Sequence, residues 1–232
     1  MTGAHLRSVA TIAEMQGRDL GRRRIALTLL AGLPLAFYGA LAGHDPAAII
    51  PGGIAMAFAL SGAAIFSVLS SREVDQRLAL AGFAPVELLA GRLLFLEAFS
   101  VPVVGGSSAV MAIGSDPPRP GVLVLAVAMV AVVGVPFGLL VGTLLPRELE
   151  ATLVLIGVVG IQLTLEPSAT LSKLLPFYGP RRLLDTALGE AYPAGTGVAV
   201  SLAWAAGLFG AAGYVMRRRV RVRRHPGRVE RS

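Results

Sequence analysis

The side chains best suited to chemistry lie in one charged segment, residues 70–92, between two long apolar runs. The segment reads SSREVDQRLALAGFAPVELLAGR. Arg72, Glu73, Asp75 and Arg77 place both signs of charge within six residues. Charges of both signs on a short helix recognise a partner protein by complementary charge, which fixes register and specificity. The segment therefore predicts either a docking surface or a solvated connector between two membrane helices.

The same segment carries signals for helix ends. Ser70 followed by Glu73 has the spacing of a capping box. Gly82 is a typical carboxyl-terminal stop, so residues 71–81 are predicted to form a short helix. Pro85 suits the first position of a second helix, where its missing N–H costs no hydrogen bond.

Few residues are available for catalysis. The chain has no Cys, and its three histidines, His5, His44 and His225, lie at or beyond the ends of the apolar runs. No G-x-x-x-x-G-K-[ST] sequence occurs, and the single lysine is Lys173, so no ATP-binding loop is expected. Neither a metal centre nor a nucleophile pair is predicted. A small intramembrane enzyme that uses carboxylates alone stays open as an alternative.

Composition indicates a membrane protein. Hydrophobic residues make up 54% of the 232 residues and charged residues 15%, compared with about 25% charged in a typical soluble domain. We expect an all-α integral membrane protein with one transmembrane domain, residues 25–216. Its six predicted spans are residues 25–43, 46–69, 93–114, 121–146, 151–165 and 195–216. The third contains the helix breakers Pro102 and Gly105-Gly106, and the fifth is short for the roughly 20 residues that a crossing needs.

Three further segments accompany the spans. Residues 1–24 have a weak apolar stripe and are predicted to form a cytoplasmic interfacial helix. Residues 166–193 are apolar but hold four prolines, which predicts an external re-entrant hairpin of two short helices, 171–175 and 183–188; a surface cap is the alternative. Residues 217–232 form a basic cytoplasmic tail suited to anionic membrane lipid. Nucleic acid is not an expected partner, because no aromatic side chains interleave this tail.

The distribution of Lys and Arg predicts the orientation. With both termini in the cytoplasm, 17 of the 21 Lys and Arg residues lie on the cytoplasmic side. Only Arg119, Lys173, Arg181 and Arg182 lie on the other side. By the positive-inside rule, both termini and the charged segment are cytoplasmic.

Within the spans, two polar residues and two rows of small residues are functional candidates. Glu97 is the one acid near a span interior, and it either serves a pathway or coupling role or stays at the hydrated interface. Gln162 either bonds a neighbouring helix or lines a pathway. Small residues four positions apart allow close helix packing, within one chain or in a dimer. The rows are Gly134, Gly138 and Gly142 in the fourth span, and Ala203, Gly207 and Ala211 in the sixth.

The order of these features resembles the ABC-2 class of ABC exporter permeases. An acidic residue after the second span, a short helix, a Pro-containing turn and a Gly-Arg-Leu-Leu sequence lead into the third span. The matching residues are Glu73, Leu78, Leu80, Pro85, Gly91, Arg92, Leu93 and Leu94. The sequence departs from the family where Asp75-Gln76-Arg77 stands in place of the Gly-Thr pair that usually follows the acidic residue.

The resemblance implies a permease subunit that exports a substrate across a bacterial inner (plasma) membrane; haem-export permeases are similar in size and span number. It implies a separate cytosolic ATPase that holds ATP and magnesium, and a second copy or a similar permease that completes the pathway. No cofactor is expected in this chain. A non-transporting assembly or sensor subunit is the alternative. The residues implied to couple to the ATPase are Arg72, Glu73, Asp75, Arg77 and Pro85.

The charge distribution gives a testable topology, because each reporter reads one side of the membrane. Reporters fused after Gly43, Arg119 and Tyr192 are expected to be external. Reporters fused after Gln76, Glu148 and His225 are expected to be cytoplasmic. Paired alkaline phosphatase and fluorescent-protein fusions measure this, and a cytoplasmic signal at Tyr192 would contradict six spans.

Overall fold

The computed structural model describes residues 11–15, 17, 24–42 and 45–222. This part of the chain is helical and contains no strand. Residues 11–15 and 17 are helical. A short 3-10 turn, Pro46–Ala48, directly precedes the helix that begins at Ile49. These helices are α1 (Arg24–Ala42), α2 (Ile49–Ser70), α3 (Arg72–Leu80), α4 (Pro85–Ser115), α5 (Pro120–Leu144), α6 (Glu148–Thr164), α7 (Thr170–Lys173), α8 (Tyr178–Ala187) and α9 (Ala194–Val222).

Four helical segments among the described residues are long and apolar enough to cross a membrane. They belong to α2, α4, α5 and α9. An α-helix suits a bilayer because each backbone polar group is satisfied within its own segment. An all-α, multi-pass membrane protein agrees with this finding, whereas six spans are not confirmed. The segments are Pro46–Ser70, Pro85–Ser115, Pro120–Leu144 and Ala194–Arg219.

Helices also occupy the other two predicted spans, but they are shorter by this measure. α6 has 17 residues, which at the rise of an α-helix covers roughly 25 Å of the ~30 Å hydrocarbon core. In α1, the apolar stretch found among the described residues is Gly32–Ala42. Both helices therefore match their predicted positions; α6 is short for a crossing, whereas α1 has 19 residues.

The helix breakers in the third predicted span do not interrupt its helix. α4 runs unbroken from Pro85 to Ser115, through Pro102 and Gly105-Gly106. All three of these helix breakers lie on an exposed face of α4. A proline ring crowds the preceding turn of its own helix. Because Pro102 is exposed, its ring does not also displace another helix of the described chain.

Helix α5 lies at the centre and contacts α2, α4, α6, α8 and α9. Its contact with α2 uses Gly134, Gly138 and Gly142, all three of which face that helix. A Cβ atom at Gly138 would lie 2.8 Å from the Cα of Ser61 and closer still to its carbonyl oxygen. The Ser61 hydroxyl donates a hydrogen bond to the Gly134 carbonyl over 2.8 Å. The two backbones thus approach as closely as glycine permits, which maximises dispersion where water provides no driving force.

The second row of small residues makes no such contact. Ala203, Gly207 and Ala211 are exposed on α9, and a Cβ atom at Gly207 would meet no atom of the described chain within 4 Å. This row therefore does not pack closely against another helix of the described chain. Helix α9 turns a different face to α5, and the small residues stay on the outside.

The segment before α9 forms two short helices, but with other bounds than predicted. α8 begins at Tyr178 because Pro180 falls in its first turn, where a proline needs no hydrogen-bond partner. It contacts α5, α9 and α2. Phe177 is fully buried and meets Phe137 of α5 edge-on, with ring centroids 5.6 Å apart. The segment therefore packs among the long helices and is not only a cap over their ends.

The two ends of the chain are described in part. In the predicted interfacial helix, Ile12 is buried, and a Cβ atom at Gly17 would lie 3.1 Å from the ring of Phe95 in α4. Residues 1–10, 16 and 18–23 lie outside the described residues. In the basic tail, α9 continues to Val222, and residues 223–232 lie outside the described part.

The α2–α5 contact predicts the outcome of a glycine substitution. Gly138→Ala should destabilise the purified protein by about 1–3 kcal/mol, because the added methyl forces two backbones apart. Gly207→Ala is the matched control, since its methyl points into open space. Melting of both variants in detergent measures the difference. Equal melting of the two variants would contradict the close approach of α2 and α5.

Candidate functional site

Helix α3 lies where α2 ends and α4 begins, and its end follows the sequence prediction. Gly82 has a φ of 99°, a left-handed conformation that glycine adopts without strain. The Phe83 N–H donates to the Leu78 carbonyl over 3.1 Å, and the Gly82 N–H donates to Ala79 over 3.2 Å. These two bonds form a Schellman motif, which satisfies carbonyls that the helix leaves unpaired. The predicted stop at Gly82 is confirmed.

The predicted capping box at the start of α3 is wrong. Ser70 is the last residue of α2, and Ser71 precedes α3 without a side-chain hydrogen bond to it. The Asp75 N–H instead donates to the Ser71 carbonyl over 2.9 Å. Ser70 is still helical as the last residue of α2, so it lacks the non-helical backbone conformation that an N-cap residue adopts.

The start of α4 has the cap that α3 lacks. Pro85 is its first residue, as predicted. The Glu87 carboxylate accepts a hydrogen bond from the Ala84 N–H over 3.0 Å, which is the returning half of a capping box. Residues 81–84 are therefore a short, well-defined connection that leaves little freedom between α3 and α4.

Asp75 and Arg92 form the central contact of the site. Two guanidinium nitrogens of Arg92 lie 2.9 Å and 2.6 Å from the two carboxylate oxygens of Asp75. Arg92 is 1% exposed and Asp75 is 9% exposed. A bidentate pair of this kind is strong and directional, and burial leaves Arg92 with little access to water in its place. Asp75 thus faces inwards, and α3 is fixed against the first turns of α4.

Arg72 makes a second attachment, to the carboxyl end of α5. Its guanidinium donates to the carbonyls of Gly142 and Pro146, each over 3.0 Å, and to that of Leu145. Arg219 of α9 donates to the neighbouring Leu144 carbonyl over 2.8 Å. The carbonyl end of a helix carries partial negative charge, so cations are favourable there. Burial lowers the pKa of Arg72, and the nearby charge of Arg219 lowers it further.

The outward face of α3 remains free for a partner to approach. Glu73, Gln76 and Arg77 are exposed, and Leu80 is 88% exposed. At 100° per residue these side chains occupy one face, opposite Asp75 and Leu78. Leu80 lies at the carboxyl end of this face, and Arg77 and Glu73 precede it by about one and two turns, so an exposed apolar side chain is followed along the face by a base and then an acid. Of the predicted coupling residues, Glu73 and Arg77 lie on this face, whereas Arg72, Asp75 and Pro85 hold the helix in position.

The two polar candidates in the spans lie apart from this site. Gln162 is fully buried, and its amide nitrogen donates to the Ser172 hydroxyl over 3.0 Å, which links α6 to α7. Glu97 is half-buried in α4, five residues beyond Arg92. Nothing brings Glu97 and Gln162 together, so a pathway role for either stays a prediction.

A second ionic cluster lies at the other end of the bundle and was not singled out from the sequence. Asp185 is buried, with one oxygen 3.4 Å from Arg181 and the other 3.6 Å from Arg182. Arg182 also pairs with Glu190 over 3.2 Å and stacks on Tyr192 at 4.6 Å. Burial raises the pKa of the Asp185 carboxyl, and Arg181 opposes that rise. The spacing of three and four residues on one helix is the signal that would have found this cluster.

Neither cluster has the make-up of a metal or catalytic centre. Among the described residues, no group of three or more His, Cys, Asp or Glu side chains is close enough to hold a metal ion. The Asp75–Arg92 pair has its charges neutralised, so it is suited to fixing structure. The outward face of α3 is suited to contact with a protein.

Comparison with protein-family models found no match, and neither did comparison with curated proteins. The resemblance to ABC-2 permeases therefore rests on the residues of the charged segment and on the order of helices around it.

The burial of the ion pair predicts a large energetic effect. Asp75→Ala and Arg92→Ala should each cost about 3–5 kcal/mol of unfolding free energy, because each leaves one charge buried and unpaired. The double variant should cost less than the sum of the two, since it leaves no orphan charge. Denaturant titration of the detergent-solubilised protein measures this cycle.

The chain offers a matched exposed pair as the control. Arg147 and Glu150 lie 3.7 Å apart, and both side chains are exposed. Glu150→Gln should change stability by less than about 1 kcal/mol, because water screens an exposed pair. If Asp75→Ala cost no more than Glu150→Gln, the buried pair would not be what fixes α3.

Proposed function

We propose that the protein is the permease subunit of an ATP-driven ABC export system, and that a separate cytosolic ATPase docks on α3. In this proposal α1, α2, α4, α5, α6 and α9 are six spans of a bacterial plasma membrane, and both termini are cytoplasmic. The ATPase holds ATP and magnesium. A second copy, or a similar permease, completes the pathway, and the α7–α8 segment re-enters the membrane from outside.

The observation that carries this proposal is the contrast between the two faces of α3. One face is fixed to the spans, through Asp75 to α4 and through Arg72 to α5. The other face presents Glu73, Arg77 and the almost fully exposed Leu80 to the surroundings. A simple connector needs neither feature. A helix that receives a push from a soluble partner and passes it to the spans needs both.

The composition of the outward face indicates what it would fit. Leu80 offers an apolar side chain that is stabilised by transfer into a pocket, by roughly 1.5–3 kcal/mol if the pocket buries it fully. Arg77 and Glu73 precede it on the same face by about one and two turns, and their opposite charges set the register of docking more than its strength. The complementary surface is therefore an apolar pocket for Leu80, followed by an acidic side chain opposite Arg77 and a basic side chain opposite Glu73.

A charge reversal on this face tests the proposal. Glu73→Arg should fold and insert normally, because the structure has no side-chain cap at Ser70 or Ser71 for it to disrupt. It should weaken binding of the proposed cytosolic ATPase by placing like charges together. Glu73→Gln, which removes the charge without reversing it, should have the milder effect. Copurification in mild detergent and ATP hydrolysis by the complex measure both.

Glu148→Arg is the control, since Glu148 is exposed near the same end of the bundle but belongs to α6. It should leave ATPase binding unchanged. If Glu73→Arg and Glu148→Arg bind the ATPase as well as the unaltered chain, α3 is only a connector. Copurification of no ATPase at all would favour a non-transporting membrane subunit.

A further inference from the structure

The two attachments of α3 differ in kind. The contact with α4 joins two opposite full charges, both buried and bonded through two atoms each. The contact with α5 joins Arg72 to neutral carbonyls, and Arg72 itself is only half-buried. These differences determine which contact can open.

Opening the Asp75–Arg92 contact would leave two opposite charges unpaired, that of Arg92 almost fully buried and that of Asp75 largely so. This is among the least favourable changes available to a folded protein. The connection between the two helices is also short, and the Schellman motif at Gly82 and the cap at Ala84 define both of its ends. Helix α3 and the first turns of α4 are therefore expected to move together.

The carboxyl end of α5 is, by contrast, shared by two competing cations. Arg72 comes from α3 and Arg219 from α9, and they bond adjacent carbonyls, those of Leu145 and Leu144. The two charges repel each other, and each favours the same partial negative charge at the end of the helix. If Arg72 withdraws, Arg219 and water can satisfy the vacated carbonyls, so this contact opens without leaving a buried charge.

We propose that α3 and the start of α4 form one rigid unit through Asp75 and Arg92, and that this unit shifts against α5 by exchanging Arg72 for Arg219 at the α5 carboxyl end. Asp75, Arg92, Arg72 and Arg219 are then positioning residues. What drives the shift, an ATPase at the outward face of α3, rests on the function proposed above. The rigid unit and the exchangeable contact do not, because both are properties of the chain alone.

Distances between spin labels test the inference directly. The chain has no Cys of its own, so a pair of introduced cysteines carries the only labels. Ala81→Cys places a label one residue beyond the end of α3. With Leu94→Cys it reports the end of α3 against α4, and with Leu144→Cys it reports the end of α3 against α5. All three positions are exposed. Double electron–electron resonance of the full chain in lipid nanodiscs gives the distance distributions.

Three variants separate the two contacts. Arg72→Gln should broaden the 81–144 distribution and leave the 81–94 distribution narrow. Arg219→Gln should sharpen the 81–144 distribution, because Arg72 loses its competitor. Asp75→Asn should broaden the 81–94 distribution. The inference fails if Arg72→Gln broadens both distributions alike, or if Asp75→Asn leaves the 81–94 distance narrow.

A double variant of the ion pair covers the case in which Asp75→Asn does not fold. Replacing both members, Asp75→Leu with Arg92→Met, removes the pair without leaving a charge, a change that proteins often tolerate. Its 81–94 distribution should still broaden, since apolar packing lacks the directionality of a bidentate pair. A narrow distribution there would assign the rigidity to packing and overturn the role of the ion pair.

Adding the ATPase and nucleotide distinguishes failure of this inference from failure of the proposed function. Both ideas together predict that the 81–144 distance changes while the 81–94 distance stays constant. If no ATPase binds, the proposed function fails, and the distances of the isolated chain still decide whether the unit is rigid. If an ATPase binds and the 81–94 distance changes instead, the rigid unit is wrong.

Discussion

Asp75 and Arg92 neutralise each other in a buried position where an unpaired charge would be strongly unfavourable. A buried ion pair contributes little net stability compared with apolar side chains of the same size, because desolvation offsets the attraction. Its effect is on geometry. Two bonds, at 2.9 Å and 2.6 Å, are satisfied in one orientation of α3 and lost in nearly every other. The pair thereby fixes which face of α3 turns outward, so the exposure of Glu73, Arg77 and Leu80 depends on two residues that are themselves buried.

The packing of α2 on α5 brings the second attachment into place. Both helices advance by four residues from one contact to the next, so they run parallel. Helix α4, which comes between them in the sequence, runs in the opposite direction. Arg72 follows α2 after a single turn residue and reaches the carbonyls of Gly142 and Leu145 at the point where this row of contacts ends. Close backbone contact in the apolar part therefore positions the charged part. The contacting pairs are Ala57 with Gly134, Ser61 with Gly138, and Ile65 with Gly142.

Local rules in the sequence predicted the end of α3 and the start of α4 well. They failed where contacts with distant residues determine the structure. Gly82 and Pro85 act within one turn of themselves, so their residue types are sufficient. The capping box failed because α2 extends to Ser70, and its length is set by packing on α5. Asp75 looked equivalent to Glu73 on a short helix, but its partner is 17 residues away. Only the fold brings Arg92 to it, and the position of Arg92 at the start of an apolar run was the one available hint.

The arginines at both ends of the bundle follow one physical rule. Arg72 and Arg219 bond the last carbonyls of α5, while Arg119, at the start of α5, donates to the Glu190 carbonyl over 3.3 Å, just beyond the carboxyl end of α8. In each case a cation lies where a helix presents unpaired carbonyls and partial negative charge. Helix α5 is thus held by arginine contacts at its two ends, with glycine contacts to α2 between them. Because α5 contacts five other helices, it is a suitable reference for the displacement of α3 and α4 that we propose.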